Sequence, residues 1–350
     1  MRIETDLKLD FDDVLIRPKR SVAPSRASVD LRRPYRFRNA DPAASWEGIP
    51  LLASNIDTIG TVAMAQALHH LNMLTCFHKF YPLDLLVDFF TRHPAAPSTF
   101  YTLGLRDEDL DKFKTFVDRT GRQARLICVD AANGYTKFFV DRVKLVRELC
   151  PWAVLLAGNV ATPEMVQELL ISGGADIVKV GIGPGSVCTT REMTGVGYPQ
   201  LSAISECADA AHGNKGHICA DGGCRKPGDV AKAFGAGADF VMLGGLLAGT
   251  DECEGDWVTV AGRKKSLKFY GMSSAEAQEK HHGGVKDYSA AEGKCVEVPS
   301  KGPVAQVLRD VTGGLRSACA YVGADRLKDF SKCCTFVRCT RTHNTVFESC

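Results

Sequence analysis

Net charge is nearly absent from this sequence: 43 basic and 41 acidic side chains leave +2 over 350 residues. Such a balance offers no broad cationic surface, which argues against a nucleic-acid or anionic-membrane partner. Any anionic ligand must be held locally. The 14 cysteines stand without a CxxC pair, so neither the dense spacing of a secreted disulfide scaffold nor that of a structural zinc site is present. This usage predicts reduced thiols and a cytoplasmic location. Long hydrophobic runs are missing too: the most apolar stretch, Phe240 to Ala248, is far shorter than the roughly 20 residues that cross a bilayer. Met1 to Arg20 alternates charged and apolar residues, unlike the apolar core of a signal peptide. The expected protein is neither exported by such a peptide nor transmembrane. His281-His282 lacks a matching carboxylate-rich motif and reads as a solvated lid rather than a metal site.

What is present is an ordinary globular composition, 45% hydrophobic and 24% charged, compatible with two domains or with one α/β barrel of roughly 250 residues or more. Eight short apolar runs alternate with amphipathic stretches: Leu51–Asn55, Leu74–Lys79, Thr99–Gly104, Leu126–Ala131, Val154–Asn159, Ile177–Gly181, His217–Asp221 and Phe240–Gly244. Helix starts are expected near Thr61, Leu83, Glu108, Thr136, Pro163, Pro199, Pro227 and Pro303, four of them at a proline, which is tolerated at the first helical position. The fold class predicted is α/β, a (β/α)8 TIM barrel. An open doubly wound sheet shares the local pattern, but its glycine fingerprint is lacking.

Two connections exceed the usual βα loop, Ile182–Tyr198 and Gly245–Gly302, and both leave the rim where barrels place function. The second, with hairpin-like Trp257–Tyr270, predicts a lid. Arg326–Cys350 reads as an exposed tail, and residues 1–350 as a single catalytic domain.

The chemistry concentrates in Gly181-Ile-Gly-Pro-Gly-Ser-Val-Cys-Thr-Thr-Arg191. Glycines admit backbone amides close to an anion, and Cys188 stands beside two hydroxyls and a cation, a candidate nucleophile. A flexible turn with an incidental thiol is equally compatible with the residues alone. Gly222-Gly223 after strand seven and Gly244-Gly245 after strand eight add two loops on the same rim, where barrels bind phosphate. Asp221 offers a carboxylate for a sugar diol, so the set suggests a nucleoside monophosphate. Lys179, inside strand six, is either an aldolase-type Schiff-base lysine or the partner of a neighbouring acid.

Gly183-Pro-Gly-Ser-Val-Cys-Thr-Thr-Arg191, Gly195-Val-Gly-Tyr-Pro-Gln200, Asp221-Gly-Gly223, Met242-Leu-Gly-Gly245 and Tyr270-Gly-Met-Ser-Ser274 together resemble the IMP dehydrogenase and GMP reductase family over nearly the whole chain. Asp6-Leu-Lys-Leu-Asp-Phe-Asp-Asp-Val-Leu15, Ala211-His212, Ala291-Glu-Gly-Lys294 and His343-Asn-Thr-Val-Phe347 resemble its reductase branch. The dehydrogenases usually insert paired CBS modules after the second strand and use an Arg-Tyr pair on a flap to activate water. Here Phe80–Leu83 leaves no room for such modules, and the flap reads His281-His-Gly-Gly-Val-Lys-Asp-Tyr288.

The resemblance implies NADPH-dependent reductive deamination of GMP to IMP and ammonia through a Cys188 thioimidate, with Thr190 and Glu292 as a proton-transfer pair. It implies a nucleotide site of Ser186, Asp221, Gly222, Gly223, Gly244, Gly245, Gly271, Met272, Ser273 and Gly293 beside Glu292. Ser25, Arg26, Lys79, Asp130, Ala131 and Ala132 are implied for NADPH, with Ser317 and Tyr321 reached from a neighbouring subunit of a homotetramer. Carbonyls of Gly183, Gly185, Cys188 and Arg191 are implied for a potassium ion. Ser289 departs from the arginine that reductases often carry before the catalytic glutamate, and Ile56 from a more usual methionine. A dehydrogenase without CBS modules and a non-catalytic nucleotide-binding barrel are the competing readings.

Overall fold

The computed structural model describes residues 3–21, 25–40 and 44–340. Eight parallel strands close into a barrel in sequential order: β1 (Leu51–Ala53), β2 (Leu74–Cys76), β3 (Thr99–Leu103), β4 (Leu126–Asp130), β5 (Val154–Val160), β6 (Ile177–Val180), β7 (His217–Asp221) and β8 (Phe240–Leu243). Closure is made by β8 on β1, with Met242 opposite Leu52 and Leu243 opposite Ala53. The strands are apolar on both faces because both are covered. In β4, Leu126 and Cys128 join the barrel interior with Phe100, Leu156 and Phe240, while Ile127 and Val129 pack outward in the core shared with the helices.

The helices that follow are α1 (Val62–His70), α2 (Leu83–Arg92), α3 (Asp107–Thr120), α4 (Lys137–Leu149), α5 (Pro163–Ile171), α6 (Gln200–Gly213), α7 (Pro227–Gly235) and α8 (Val304–Val322). Their starts have local causes. Thr61 and Thr136 accept from the amides of Met64 and Phe139 as N-caps, satisfying donors the helix cannot. Pro163 and Pro227 occupy the first turn, and Pro199 and Pro303 stand one residue before it.

The hairpin Arg33–Arg36 with Ser45–Gly48 brings Tyr35 onto Phe240, ring centroids 4.3 Å apart, at the end of the barrel where the strands begin. At the opposite end, the β8–α8 insertion builds a three-stranded antiparallel sheet of Trp257–Val260, Arg263–Tyr270 and Cys295–Pro299, with the helix Ala275–His282 between its last two strands. The expected hairpin is its first half. The expected exposed tail is corrected over its described part. Leu327 and Phe330 of the helix Leu327–Cys333 are buried, and Phe336–Arg338 pairs with Val14–Ile16. Burying two apolar residues spaced three apart docks that helix; His343–Phe347 lies outside the described residues. Among the described residues, no helix is long and apolar enough to cross a membrane.

Candidate active site

The strands end early so that rim loops can carry polar groups. Cys188 lies in the β6–α6 connection, half-buried, and its Sγ donates to Thr190 Oγ1 at 3.2 Å. The Thr190 hydroxyl donates to Glu292 Oε2 at 2.8 Å. Glu292 arrives from the insertion, where backbone bonds stitch it to the cysteine loop. The Thr189 amide donates to the Glu292 carbonyl at 3.1 Å and the Lys294 amide to the Val187 carbonyl at 2.9 Å, forming an antiparallel bridge between Cys188 and Gly293.

Two glycines show why the loops fold as they do. Gly222 has φ +88°, and a Cβ there would meet Pro184 Cγ at 3.0 Å and the Gly185 amide nitrogen at 3.1 Å. The β6 and β7 loops thus touch backbone to backbone. A Cβ on Gly245 would lie 2.4 Å from Ser186 Oγ, so the β8 loop meets that hydroxyl at a distance only glycine permits.

A cavity of about 440 Å³ is lined by Cys188, Thr190, Glu292, Asp221, Gly222, Gly271, Met272 and Ser273 together with Lys79, Asp130, Ala131 and Ala132. It continues into a narrow cleft of about 80 Å³ formed by Ser186, Gly223, Gly244 and Gly245 with Asp221 and Gly222. Beyond Thr190 and Glu292 opens a further hollow of about 540 Å³, walled largely by Tyr135, Ala161, Ile182, Val196 and Tyr198. Gly183 and Gly185 line the main cavity as well. Among the described residues, Ser25, Arg26, Ser317 and Tyr321 line none of these spaces. Arg26 Nη1 donates to Ser317 Oγ at 3.1 Å, Ser25 caps the turn Arg26–Ser28, and Tyr321 is 67% exposed.

Electrostatics sort the groups further. Burial works against the charge on Lys179, but Asp130 at 2.6 Å and Asp221 at 3.2 Å outweigh it and hold its pKa well above the usual range. That corrects the Schiff-base alternative, which needs a neutral amine; the partnered reading holds. Burial pushes the thiols of Cys150, Cys319 and Cys334 up to about 12, and buried thiols of that kind are inert. Arg191 turns its guanidinium away from the cavity, donating to Asp10 Oδ2 at 3.1 Å and to the Tyr198 carbonyl at 2.7 Å. Its stem runs beside Gly183, where a Cβ would meet Arg191 Cγ at 2.6 Å.

Ser54, Asn159, Arg225 and Phe269 also line these spaces and escaped the sequence reading. Asn159 Nδ2 donates to Asp221 Oδ2 and to the Gly181 carbonyl, each at 2.9 Å. A polar side chain at the end of an otherwise apolar β5 was the available signal. His281-His282 belongs to the β8–α8 insertion, but its expected solvation is corrected: His281 Nε2 lies 2.8 Å from Asp57 Oδ2, and His282 lines the main cavity.

Residues 99–349 match the family described as IMP dehydrogenase / GMP reductase domain. The chain belongs to the IMP dehydrogenase/GMP reductase family. Human GMP reductase 1 is 56% identical over 347 residues, covering 99% of each chain. GMP reductase of Phytophthora infestans is 54% identical over 99% of this chain and 94% of its own, and that of Serratia proteamaculans 55% identical over the full length of both. Membership in the IMP dehydrogenase/GMP reductase family fits a barrel with cysteine, hydroxyl and carboxylate in line at one rim.

Proposed function

We propose that this chain is a GMP reductase, converting GMP, NADPH and a proton to IMP, ammonia and NADP⁺. The observation that carries the reading is the chain of contacts Cys188, Thr190, Glu292 beside a glycine-lined cleft. GMP would place its phosphate against Ser186, Gly223, Gly244 and Gly245, where amides can face an anion, its ribose toward Asp221, and its base along Gly271, Met272, Ser273 and Gly293.

Cys188 Sγ would form a bond to C2 of the purine. The C2–N bond then breaks, and the amino group leaves as ammonia after taking a proton through Thr190 from Glu292. Without that proton the leaving group would be an amide anion. NADPH, when bound, would supply the hydride for C2, and Cys188 would leave as the thiolate. Lys79, Asp130, Ala131 and Ala132, which line the main cavity, would hold that cofactor. Ser25, Arg26, Ser317 and Tyr321, clustered outside it, would serve a neighbouring copy's cofactor in a homotetramer, with Arg26 suited to a phosphate. Carbonyls of Gly183, Gly185, Cys188 and Arg191 would hold a potassium ion that keeps the cysteine loop in shape.

The same Gly245–Gly302 segment would act as a lid over one catalytic domain in the cytoplasm. Cofactor absorbance followed in two parallel assays with a potassium salt tests the reading: GMP with NADPH in one, IMP with NAD⁺ in the other. NADPH oxidation that requires GMP and releases ammonia is expected. NAD⁺ reduction with IMP would make the chain a dehydrogenase, and binding without turnover a non-catalytic barrel.

A further inference from the structure

Asp57 stands in the β1–α1 connection, buried at 6% exposure, and one of its oxygens gathers three donors from the lid. Oδ2 accepts from the Tyr270 hydroxyl at 2.8 Å and from Lys280 Nζ at 2.9 Å, and it lies 2.8 Å from His281 Nε2. These partners come from 213 to 224 residues away along the chain. They bracket the cavity wall, since Tyr270 immediately precedes Gly271-Met272-Ser273 and Lys280 and His281 close the helix that follows. From that helix the chain returns through Gly283 and Gly284, both at positive φ, to Glu292, whose amide donates to the Ser273 carbonyl at 2.9 Å. A second contact seats the helix end, the His281 ring stacking on Phe80 with centroids 3.6 Å apart and planes within 10°. Phe80 is itself a wall of the cavity beside Lys79.

We infer that Asp57 is the seat of the lid and a positioning residue for the reaction proposed above: by clamping both flanks of the 271–273 wall, it fixes where Glu292 meets Thr190. The chemistry favours an ionised carboxylate here. Hydrogen bonds to a charged acceptor are about twice as strong as neutral ones, and low local dielectric strengthens them further. An amide in its place could turn its oxygen to the same three donors, but it would meet the Lys280 ammonium without a charge and hold it more weakly. The inference rests on the GMP reductase reading for its catalytic half only.

The test compares Asp57→Asn, Lys280→Met and Lys280→Arg with the unaltered protein. Amide hydrogen exchange in the ligand-free protein reads the seat, and kcat against KM reads the positioning. Asp57→Asn should speed exchange of amides 275–282 about tenfold or more, the scale of losing a charged hydrogen bond, with barrel-strand amides unchanged. Its kcat should fall about tenfold while the KM for GMP moves less than about threefold. Lys280→Met, at a half-exposed position where folding is not at risk, should follow in the same direction, and Lys280→Arg should recover most of both. Unchanged exchange in Asp57→Asn and Lys280→Met overturns the seat, and faster exchange with unaltered kcat overturns the positioning role. Should the unaltered protein fail to reduce GMP, the function reading falls and the exchange result alone decides the seat.

Discussion

Lys179 Nζ lies 2.6 Å from Asp130 Oδ1 and 3.2 Å from Asp221 Oδ2, so one buried amine on β6 ties a carboxylate on β4 to another on β7. In the proposed complex these face the cofactor and the ribose respectively. Lys179→Met removes the cation between two acids and should cost about 2 kcal/mol, less than the roughly 3–5 of a fully buried pair. The discount reflects side chains of Asp130 and Asp221 that are 34% and 21% exposed and can rehydrate. KM should rise for both GMP and NADPH, since Asp130 loses its cation and Asp221 is left with the Asn159 amide. Denaturant midpoints and two-substrate kinetics check this; a rise confined to one substrate would show that Lys179 does not join the two halves.

The relay makes a sharper demand. Thr190→Val and Glu292→Gln each break proton transfer while leaving the cavity close to its present shape, and kcat should fall by about 10²–10⁴, the usual worth of a positioned acid or base. Cys188→Ala should abolish turnover altogether. GMP binding by calorimetry should persist in all three. Affinity falling in step with kcat would instead make the relay part of substrate binding.

Legibility in the sequence followed the range of the interactions. Strands buried on both faces read as apolar runs, as Leu126 to Val129 does, and the glycine loops around Cys188, Gly222 and Gly245 read because close approach demands that residue. Asp57 did not. It sits in a short loop with no periodicity around it, and its partners Tyr270, Lys280 and His281 meet it only once the barrel has closed and the insertion folds back. The pairing of Val14–Ile16 with Phe336–Arg338 was equally hidden, three residues a side being too short for an alternation to declare itself.

Acid should loosen the rim through His78. Its ring is buried, its Nδ1 accepts from the Phe80 amide at 3.2 Å, and burial holds its pKa down at about 4, against the upward pull of Asp57. The unfolded chain, with an ordinary value near 6.5, therefore binds the proton first. Stability is fully present above about 6.5 and is lost as pH falls toward 4, by about 3 kcal/mol at most. His78→Gln carries no such titration, so the stability advantage of the unaltered protein should shrink between pH 6.5 and 4.5. Denaturant midpoints across that interval decide it, and a difference independent of pH would remove His78 as the source.

At the opposite end of the barrel, Arg147 on α4 donates to Asp176 Oδ2 at 2.6 Å and to the carbonyls of Gly174 and Ala153 at 2.9 and 2.7 Å. Asp176 is fully buried just before β6, and burial raises its pKa despite Arg147 and the amides of Leu155 and Asn39. Arg147→Met strands that carboxylate and should cost about 3–5 kcal/mol with kcat unchanged, because nothing at this end touches the Cys188 cavity. Replacing both members, Arg147→Met with Asp176→Leu, removes the stranded charge and should return part of the loss. A double variant as unstable as the single would mean that the guanidinium matters for the carbonyls it ties together, and that the ion pair is secondary to them.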